Sequence, residues 1–295
     1  MNQLLIAPLP GNEAVAVVLE RQLNAEVVSL ETRDFPDGET YLRFCGDIAG
    51  RDLAVVCTLD RPNAKLVAAY LAAATARDIG ARRVGLVAPY LGYMRQDKRF
   101  KPGEAQSSRH VASLVSSVFD WMVTVDPHLH RYHALGEIYT IPTRAAHAAP
   151  MISKWIKENV MNPVIIGPDS ESQQWVAAVA VASDAPYTVM EKIRRGDRDV
   201  EVSFRDLDPM TDRTPVLVDD IISSGRTMVE AVRTLRSLGF QTPTCVAVHG
   251  IFAGDAYSTL LEAGGRVATC NTVPHISNQI DVTNLLSEAV REIQA

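Results

Sequence analysis

The chain has 295 residues, of which 47% are hydrophobic and 22% are charged, and its formal net charge is −6. This length favours two domains over one, and the composition is that of a globular protein and not of a disordered one. A mildly acidic chain lacks the basic footprint of sequence-independent nucleic-acid binding, and no apolar run is long enough to span a bilayer. We therefore expect neither a nucleic-acid partner nor a membrane partner.

The N-terminus and the cysteines predict a cytoplasmic protein. The first residues show no basic segment followed by a long apolar run, so we expect no signal peptide. The cysteines form no CxxC pair, and Cys57 and Cys245 lie within apolar, β-branched runs. This pattern favours small buried side chains in a reducing compartment over a zinc site or a disulfide framework.

Apolar runs alternate with stretches of helical spacing along the whole chain. The runs predicted to be strands are Gln3–Ala7, Asp52–Thr58, Arg83–Ala88, Trp121–Val125, Pro163–Gly167, Thr214–Val218 and Thr244–His249. Helices are predicted for Asn63–Ile79, with apolar Val67, Leu71 and Ala74, and for Arg226–Leu238, with Met228, Val232 and Leu235. Each helix is followed by a glycine. This alternation predicts βαβ units with mainly parallel sheets, whose ligands bind at the carboxyl ends of strands.

The alanine-rich stretch Pro142–Pro150, which begins and ends with proline, is the candidate domain boundary. We predict an N-terminal domain over residues 1–146 and a C-terminal domain over residues 147–295. The amphipathic C-terminal segment NLLSEAVREIQA is a candidate to pack back on the N-terminal domain.

Two segments of the first half are candidates for binding but also have ordinary structural explanations. In Phe35–Glu39 an aromatic residue precedes a Pro-Asp-Gly turn, which by itself indicates an ordinary surface turn. In Tyr90–Arg99 a basic cluster follows a strand, which by composition alone indicates a solvated charged loop.

Three further segments carry histidines, acids or cations. His128, His130 and His133 follow the strand WMVTV and resemble a zinc pattern, but no cysteine or third-ligand motif accompanies them. The segment IIGPDSESQQW places Asp169 after another apolar strand, and MEKIRR precedes a polar stretch that we expect to be a mobile loop.

The strongest segment is VLVDDIISSGRT, residues 216–227. An apolar strand ends in Asp219 and Asp220, and a short loop of small residues leads into a helix. Such a loop closes backbone N–H groups on a phosphate at the positive end of the helix, and Ser224 and Thr227 add hydroxyl donors. The acids repel a phosphate but suit sugar hydroxyls or hydrated magnesium. The combination indicates a phosphorylated sugar, and the alternative is a plain strand-to-helix turn.

This loop resembles the phosphoribosyl diphosphate motif of the phosphoribosyltransferases. DFPDGETYLR, PYLGYMRQDKR and DPHLH resemble, in order and spacing, the signatures of the ribose-phosphate pyrophosphokinase family, which phosphoribosyltransferases lack. The resemblance covers nearly the whole chain. It implies an α/β fold of two phosphoribosyltransferase-type domains with mainly parallel sheets flanked by helices. The implied reaction transfers the diphosphoryl group of MgATP to ribose 5-phosphate.

The resemblance also implies roles for individual residues, with Mg²⁺ as the cofactor. The residues implied in ATP binding are Phe35, stacked on adenine, and Asp37, Gly38, Glu39, Arg95 and Gln96. Those implied for ribose 5-phosphate are Asp219, Asp220, Ser223, Ser224, Gly225, Arg226 and Thr227. The magnesium ligands are His130 and Asp169, and the cations that stabilise the transferred group are Lys192 and Arg194, on a flexible loop. In the family, the counterparts of Phe35, Asp37 and Glu39 come from a neighbouring subunit, which implies a homo-oligomer with a shared active site.

The chain departs from the family pattern in two loops. Ser170–Ser172 stands where two glycines are usual, and Ser223 and Arg226 replace an acid and a glycine. Two alternatives therefore stay open: a non-catalytic regulatory paralogue of the synthetase, and a phosphoribosyltransferase acting on a base. Retention of Lys192 and Arg194 argues against the first, and the FPDGE and RQD segments argue against the second.

Overall fold

The computed structural model describes residues 4–168, 172–194, 200–204 and 210–295, with the backbone alone at 174, 191–194 and 200–204. These residues form two compact units. The first consists of the chain up to His147 together with Thr283–Ala295, and the second spans Ala148–Val282. Gln3, the first residue of the first predicted strand, lies outside the described residues.

The first unit is built on a parallel sheet of order β2-β1-β5-β6-β7-β8, with a separate antiparallel hairpin β3–β4. Its strands are β1 (Leu5–Pro8), β2 (Glu26–Val27), β3 (Leu30–Asp34), β4 (Thr40–Phe44), β5 (Asp52–Val56), β6 (Arg83–Ala88), β7 (Trp121–Val125) and β8 (Thr143–Ala146). Its helices are α1 (Glu13–Leu23), α2 (Pro62–Asp78), α3 (Ser107–Val118) and α8 (Thr283–Gln294), with a 3₁₀ turn at Leu135–Glu137.

The central strands of this sheet are covered on both faces. Every residue of β5 and β7 is buried, as expected for parallel strands between helices. Helix α8 contacts α1, β7 and β8, and it turns Leu286, Ala289 and Val290 inward. Its polar face adds an exposed ion pair between Arg144 and Glu292. The last helix of the chain therefore belongs to the first unit.

The second unit is built on a sheet of order β11-β10-β9-β12-β13-β14-β15, in which only the described pair β10–β11 is antiparallel. Its strands are β9 (Pro163–Gly167), β10 (Tyr187–Arg194), β11 (Val200–Phe204), β12 (Thr214–Ile222), β13 (Thr244–Gly250), β14 (Arg266–Cys270) and β15 (Asn278–Ile280). Its helices are α4 (Ala149–Asn159), α5 (Gln173–Ser183), α6 (Arg226–Ser237) and α7 (Ala256–Glu262).

The predicted α/β class with mainly parallel sheets is confirmed. All seven predicted strands and both predicted helices are present, with ends shifted by a few residues. The cysteine prediction is confirmed for Cys57 and Cys245, which are buried free thiols. Burial raises the pKa of both to about 12, so neither is a reactive thiolate near neutral pH. Among the described helices, none combines the length and the apolar character that crossing a membrane requires.

Candidate functional site

The loop between β12 and α6 encloses a small polar cavity in the second unit. The cavity has a volume of about 120 Å³, and it is lined by Asp219 and by residues 221–228. Gly225 adopts a left-handed backbone with φ of 70°, and its carbonyl accepts the N–H of Val229 at 2.8 Å as the helix starts. The structure thus brings Asp219 together with the five predicted loop residues, Ser223 to Thr227. Asp220 is half-buried and is not among the described lining residues.

The two acids are linked through the backbone. Oδ1 of Asp219 accepts the N–H of Asp220 at 2.9 Å. Both acids lie within β12, which continues to Ile222 and does not end before them as the sequence predicted. Arg226 is the first residue of α6, and its side chain is exposed. No carboxylate in the described part of the chain forms an ion pair with it. A carboxylate of β12 that lines the cavity and a guanidinium at the helix start together suit a ligand with both hydroxyl and anionic groups.

A second segment, residues 251–253, supports this loop through backbone hydrogen bonds, and no sequence pattern predicted it. The N–H groups of Ile251 and Phe252 donate to the carbonyl of Ile222 at 2.9 and 3.1 Å, and that of Ala253 donates to Ser223 at 2.9 Å. Phe252 takes a left-handed backbone, with φ of 43°, which is strained for an aromatic residue. The support consists of backbone hydrogen bonds between residues far apart in the chain, which leave no local sequence signal, so only the structure could identify it.

The first predicted ATP segment forms the tip of the β3–β4 hairpin. The N–H of Phe35 donates to the carbonyl of Glu39 at 2.7 Å, and that of Gly38, with φ of 90°, donates to Phe35 at 2.8 Å. The predicted turn is therefore present, and Asp37 lies within it. Phe35 is 39% exposed, and the guanidinium of Arg33 lies 4.6 Å from its ring centroid. The hairpin thus presents an aromatic ring and two acids at an exposed tip.

The second predicted ATP segment follows β6. Arg95 is exposed, while Gln96 is half-buried and its Oε1 accepts the hydroxyl of Ser107 at 2.5 Å. Next to them, Asp97 is buried and pairs with Arg131, which lies beyond β7. Neither Asp97 nor Arg131 is predicted as a site residue, because an ion pair between residues so far apart in the chain has no local signature.

The histidines form no metal cluster in the described structure. The rings of His128 and His130 contact each other edge to face, with centroids 4.0 Å apart. No group of three or more His, Cys, Asp or Glu side chains among the described residues is arranged to hold a metal. Asp169, the other predicted ligand, lies outside the described residues, as do Ser170 and Glu171. Zinc bound by the histidine cluster therefore has no support in the described structure.

Lys192 and Arg194 lie in a strand and not on the flexible loop that the family resemblance implies. Both belong to strand β10, where they pair antiparallel with Val202 and Val200 of β11. The reason is that the segment YTVMEKIR contains enough β-branched and aromatic residues to extend the sheet, in spite of its charges. The polar stretch beyond Arg194, residues 195–199, lies outside the described residues.

Comparisons with known proteins match both units. Residues 4–118 match the model of the N-terminal domain of ribose phosphate pyrophosphokinase, and residues 134–281 match the phosphoribosyl transferase domain. The ribose-phosphate pyrophosphokinase of Methanopyrus kandleri is 34% identical over 93% of this chain and 94% of its own. The chain belongs to the ribose-phosphate pyrophosphokinase family. The enzyme of that name from Saccharolobus solfataricus is 32% identical over 92% of this chain and 94% of its own.

A solved structure supports the fold of this family member. The crystal structure of phosphoribosylpyrophosphate synthetase from Mycobacterium smegmatis superposes with a TM-score of 0.86 over 99% of each chain, at 24% sequence identity. That similarity confirms the expected two-domain α/β fold. The family signatures read from the sequence, FPDGE, RQD and VDD, lie on the hairpin tip, after β6 and in β12.

Proposed function

We propose that this protein is a ribose-phosphate diphosphokinase, which transfers the diphosphoryl group of MgATP to the C1 hydroxyl of ribose 5-phosphate. The products are 5-phosphoribosyl diphosphate and AMP. The observation that carries the proposal is the cavity at Ser223–Thr227, which combines an anion cradle with the carboxylate of Asp219, in a chain of this family. A phosphorylated sugar matches both parts of that cavity, because its phosphate suits the loop and its hydroxyls suit the acid.

Each unit supplies one substrate site in this proposal. In the second unit Asp219, Asp220 and the loop residues Ser223 to Thr227 hold ribose 5-phosphate. In the first unit the ATP site is formed by Phe35, Asp37, Gly38, Glu39, Arg95 and Gln96. The exposed ring of Phe35 suits stacking on a base, and the guanidinium of Arg95 suits a phosphate.

Lys192 and Arg194 act as cations on the transferred group. The C1 oxygen attacks the β-phosphorus in line as the bond from that phosphorus to the oxygen of the leaving AMP breaks, and the hydroxyl proton passes to water. Negative charge builds on the oxygens of the transferred group and of the leaving AMP. Fixed cations stabilise that charge without acid–base chemistry, so catalysis consists mostly of positioning and neutralisation.

The donor set fits magnesium that arrives with the nucleotide. Carboxylates such as those of Asp219 and Asp169 are oxygen donors of the kind that Mg²⁺ prefers, whereas the imidazole of His130 is a poor one. The described residues form no closed metal site. His130 and Asp169 would therefore each supply one ligand, beside phosphate oxygens and water. The ion would neutralise charge on the phosphates of ATP.

The exposed hairpin tip and the free cysteines bear on the assembly of the protein and on its compartment. The hairpin tip is exposed, with Phe35 39% accessible, as it would be if it completed the site of a neighbouring copy. We therefore propose a homo-oligomer with shared active sites. All four cysteines are free thiols, which agrees with a reducing compartment such as the cytoplasm.

The deciding experiment mixes purified protein with MgATP and ribose 5-phosphate and separates the nucleotides by chromatography. AMP and 5-phosphoribosyl diphosphate should appear in equal amounts, and ribose without its phosphate should give no AMP. Formation of ADP would indicate an ordinary kinase instead. No product, together with activation of an added synthetase, would indicate a regulatory paralogue. Transfer of a base without ATP would indicate a phosphoribosyltransferase.

A further inference from the structure

Asp97 is a buried carboxylate with a single charged partner in the described structure. Its side chain is 3% exposed, and Nη1 of Arg131 donates to both of its oxygens, at 2.7 and 3.0 Å. Burying a carboxylate costs folding free energy unless the group is paired and hydrogen-bonded, so Asp97 needs this ion pair in the folded state. It joins two positions that are 34 residues apart in the chain.

The pair ties together the segments that follow two neighbouring parallel strands, β6 and β7. The carbonyl of Asp97 also accepts the amide of Gln106 at 2.5 Å and the hydroxyl of Tyr132 at 3.2 Å. Gln106 in turn donates to Tyr132 at 2.8 Å. Each member of the pair has a residue of the proposed MgATP site as its chain neighbour: Gln96, proposed for ATP, precedes Asp97, and His130, proposed for Mg²⁺, precedes Arg131. This network therefore fixes the two segments relative to each other at the ligand-binding edge of the sheet.

Arg131 keeps most of its guanidinium available. Only Nη1 donates to Asp97, and the side chain as a whole is 43% exposed. Its guanidinium carbon lies 5.6 Å from the ring centroid of Phe100, which limits the orientations of the group. Among the described residues no hydrogen bond involves its Nε or Nη2, and those two donors form the edge that binds a phosphate bidentately.

The charge around this position is opposite to that of the whole protein. Residues 95–104 and 126–131 contain five Lys or Arg side chains against the three carboxylates of Asp97, Glu104 and Asp126, in a chain whose net charge is −6. Such a local excess of cations raises the local concentration of a polyanion such as a nucleoside triphosphate.

We propose that Arg131 is a further ligand of the phosphates of ATP, and that Asp97 is the residue that positions it. The inference rests on the proposed function, because it takes ATP as the nucleotide of the first unit. The carboxylate holds one nitrogen of the guanidinium, and the opposite edge is presented to the triphosphate. Arg131 belongs to none of the segments whose resemblance suggested ATP contacts.

The test compares Arg131→Gln, Arg131→Lys and Asp97→Asn with wild type, and uses Arg21→Gln as the control. Arg21 is an exposed arginine in the last turn of α1, in the same unit. Dissociation constants for MgATP are measured by titration calorimetry without ribose 5-phosphate, and KM values are measured for both substrates. Arg131→Gln should weaken ATP binding about ten- to hundredfold, as expected for the loss of a charge-assisted contact. KM for ribose 5-phosphate should stay within about twofold in every variant.

Arg131→Lys distinguishes a role of Arg131 in ATP binding from a purely structural role in pairing with Asp97. Lysine can pair with Asp97 but has no fork, so the melting temperature should return close to that of wild type while ATP binding stays weakened. Asp97→Asn should weaken ATP binding less than Arg131→Gln, and the double variant should bind ATP no worse than Arg131→Gln alone.

Two results would overturn the proposal. One is unchanged ATP binding in Arg131→Gln, and the other is full recovery of both stability and ATP binding in Arg131→Lys. A wild-type protein that binds ATP in calorimetry but forms no AMP would refute the proposed function and leave this comparison valid.

Discussion

Nδ1 of His147 lies 2.9 Å from Oδ1 of Asp126. Asp126 directly follows β7 and His147 directly follows β8, so the pair joins the carboxyl ends of two neighbouring parallel strands. Asp126 is 7% exposed and adopts a left-handed backbone with φ of 31°. The hydrogen bond to this carboxylate raises the pKa of His147 above its ordinary value of 6.5, although partial burial opposes the shift.

We expect the pKa of His147 to lie above 6.5, and an NMR titration of its ring protons would measure it. The protonated form is favoured in the folded state, so the pair stabilises the fold fully below the unfolded pKa. That contribution is lost as pH rises through the folded pKa. It is small, because the His147 side chain is 76% exposed. Asp126→Asn should lower the pKa of His147, and an unchanged pKa in that variant would contradict the assignment.

Lys192→Ala should lower kcat about 10²–10³-fold and leave both KM values near those of wild type. A cation that acts as charge develops in the transition state affects turnover more than substrate binding. Steady-state kinetics check this, with Lys154→Ala on α4 as an exposed-lysine control. Near-normal kcat with a raised KM would show that Lys192 only binds substrate.

Arg226→Gly should raise KM for ribose 5-phosphate about ten- to hundredfold and leave KM for ATP nearly unchanged. The reason is the loss of one charge-assisted hydrogen bond, worth about 1.5–3 kcal/mol, at the edge of the phosphate cradle. Arg233→Gly, at an exposed position of the same helix, controls for the weaker helix propensity of glycine. If both KM values move together, or neither moves, Arg226 does not contact the phosphate.

Gly225→Ala should lower stability by about 1–2 kcal/mol and also raise KM for ribose 5-phosphate. An alanine there would hold a left-handed φ of 70°, and its Cβ would lie 3.3 Å from that of Ala256. Gly239→Ala is the matched control, since its φ is 85° but its added Cβ meets nothing within 4 Å. Thermal unfolding should show similar losses in both variants. A raised KM in Gly239→Ala would mean that the effect is not local to the loop.

Removal of metal should leave the protein folded but inactive, and Mg²⁺ should restore activity. His130 and Asp169 supply too few ligands for a tight site, and Mg²⁺ retains water and phosphate oxygens. Circular dichroism and activity after chelation, followed by metal analysis of the purified protein, test this. Tightly bound zinc that is required for activity would contradict it.

The sequence by itself determined the fold class and the position of the loop that we propose binds phosphate. Continuous apolar runs bounded by turn residues have few alternatives to buried strands, and a glycine after each helix marks its end. Helix α6 was predicted with the correct buried face, because Met228, Val232 and Leu235 recur at helical spacing and are all buried. The chemistry of the loop was readable because strand, acids, small residues and helix are contiguous in the chain.

Local pattern was not sufficient where a helix or strand is defined by its neighbours. Helix α2 contains so many alanines that its sequence shows no single apolar face. The sequence pattern predicted Val67 on the apolar face of the helix. In the structure Val67 is 54% exposed, while Leu66 and Ala69 are buried. The family resemblance placed Lys192 and Arg194 on a flexible loop, whereas the ladder with β11 makes both residues part of strand β10.

Only the tertiary structure decided which distant residues meet at the candidate sites. The pairs Asp97–Arg131 and Asp126–His147, and the support of Ser223 by Ala253, join residues that come together only at the carboxyl ends of adjacent strands. Sequence patterns report the local preferences of the chain. Contacts of this kind depend on strand order and register, because these set which loops become neighbours at one edge of a parallel sheet.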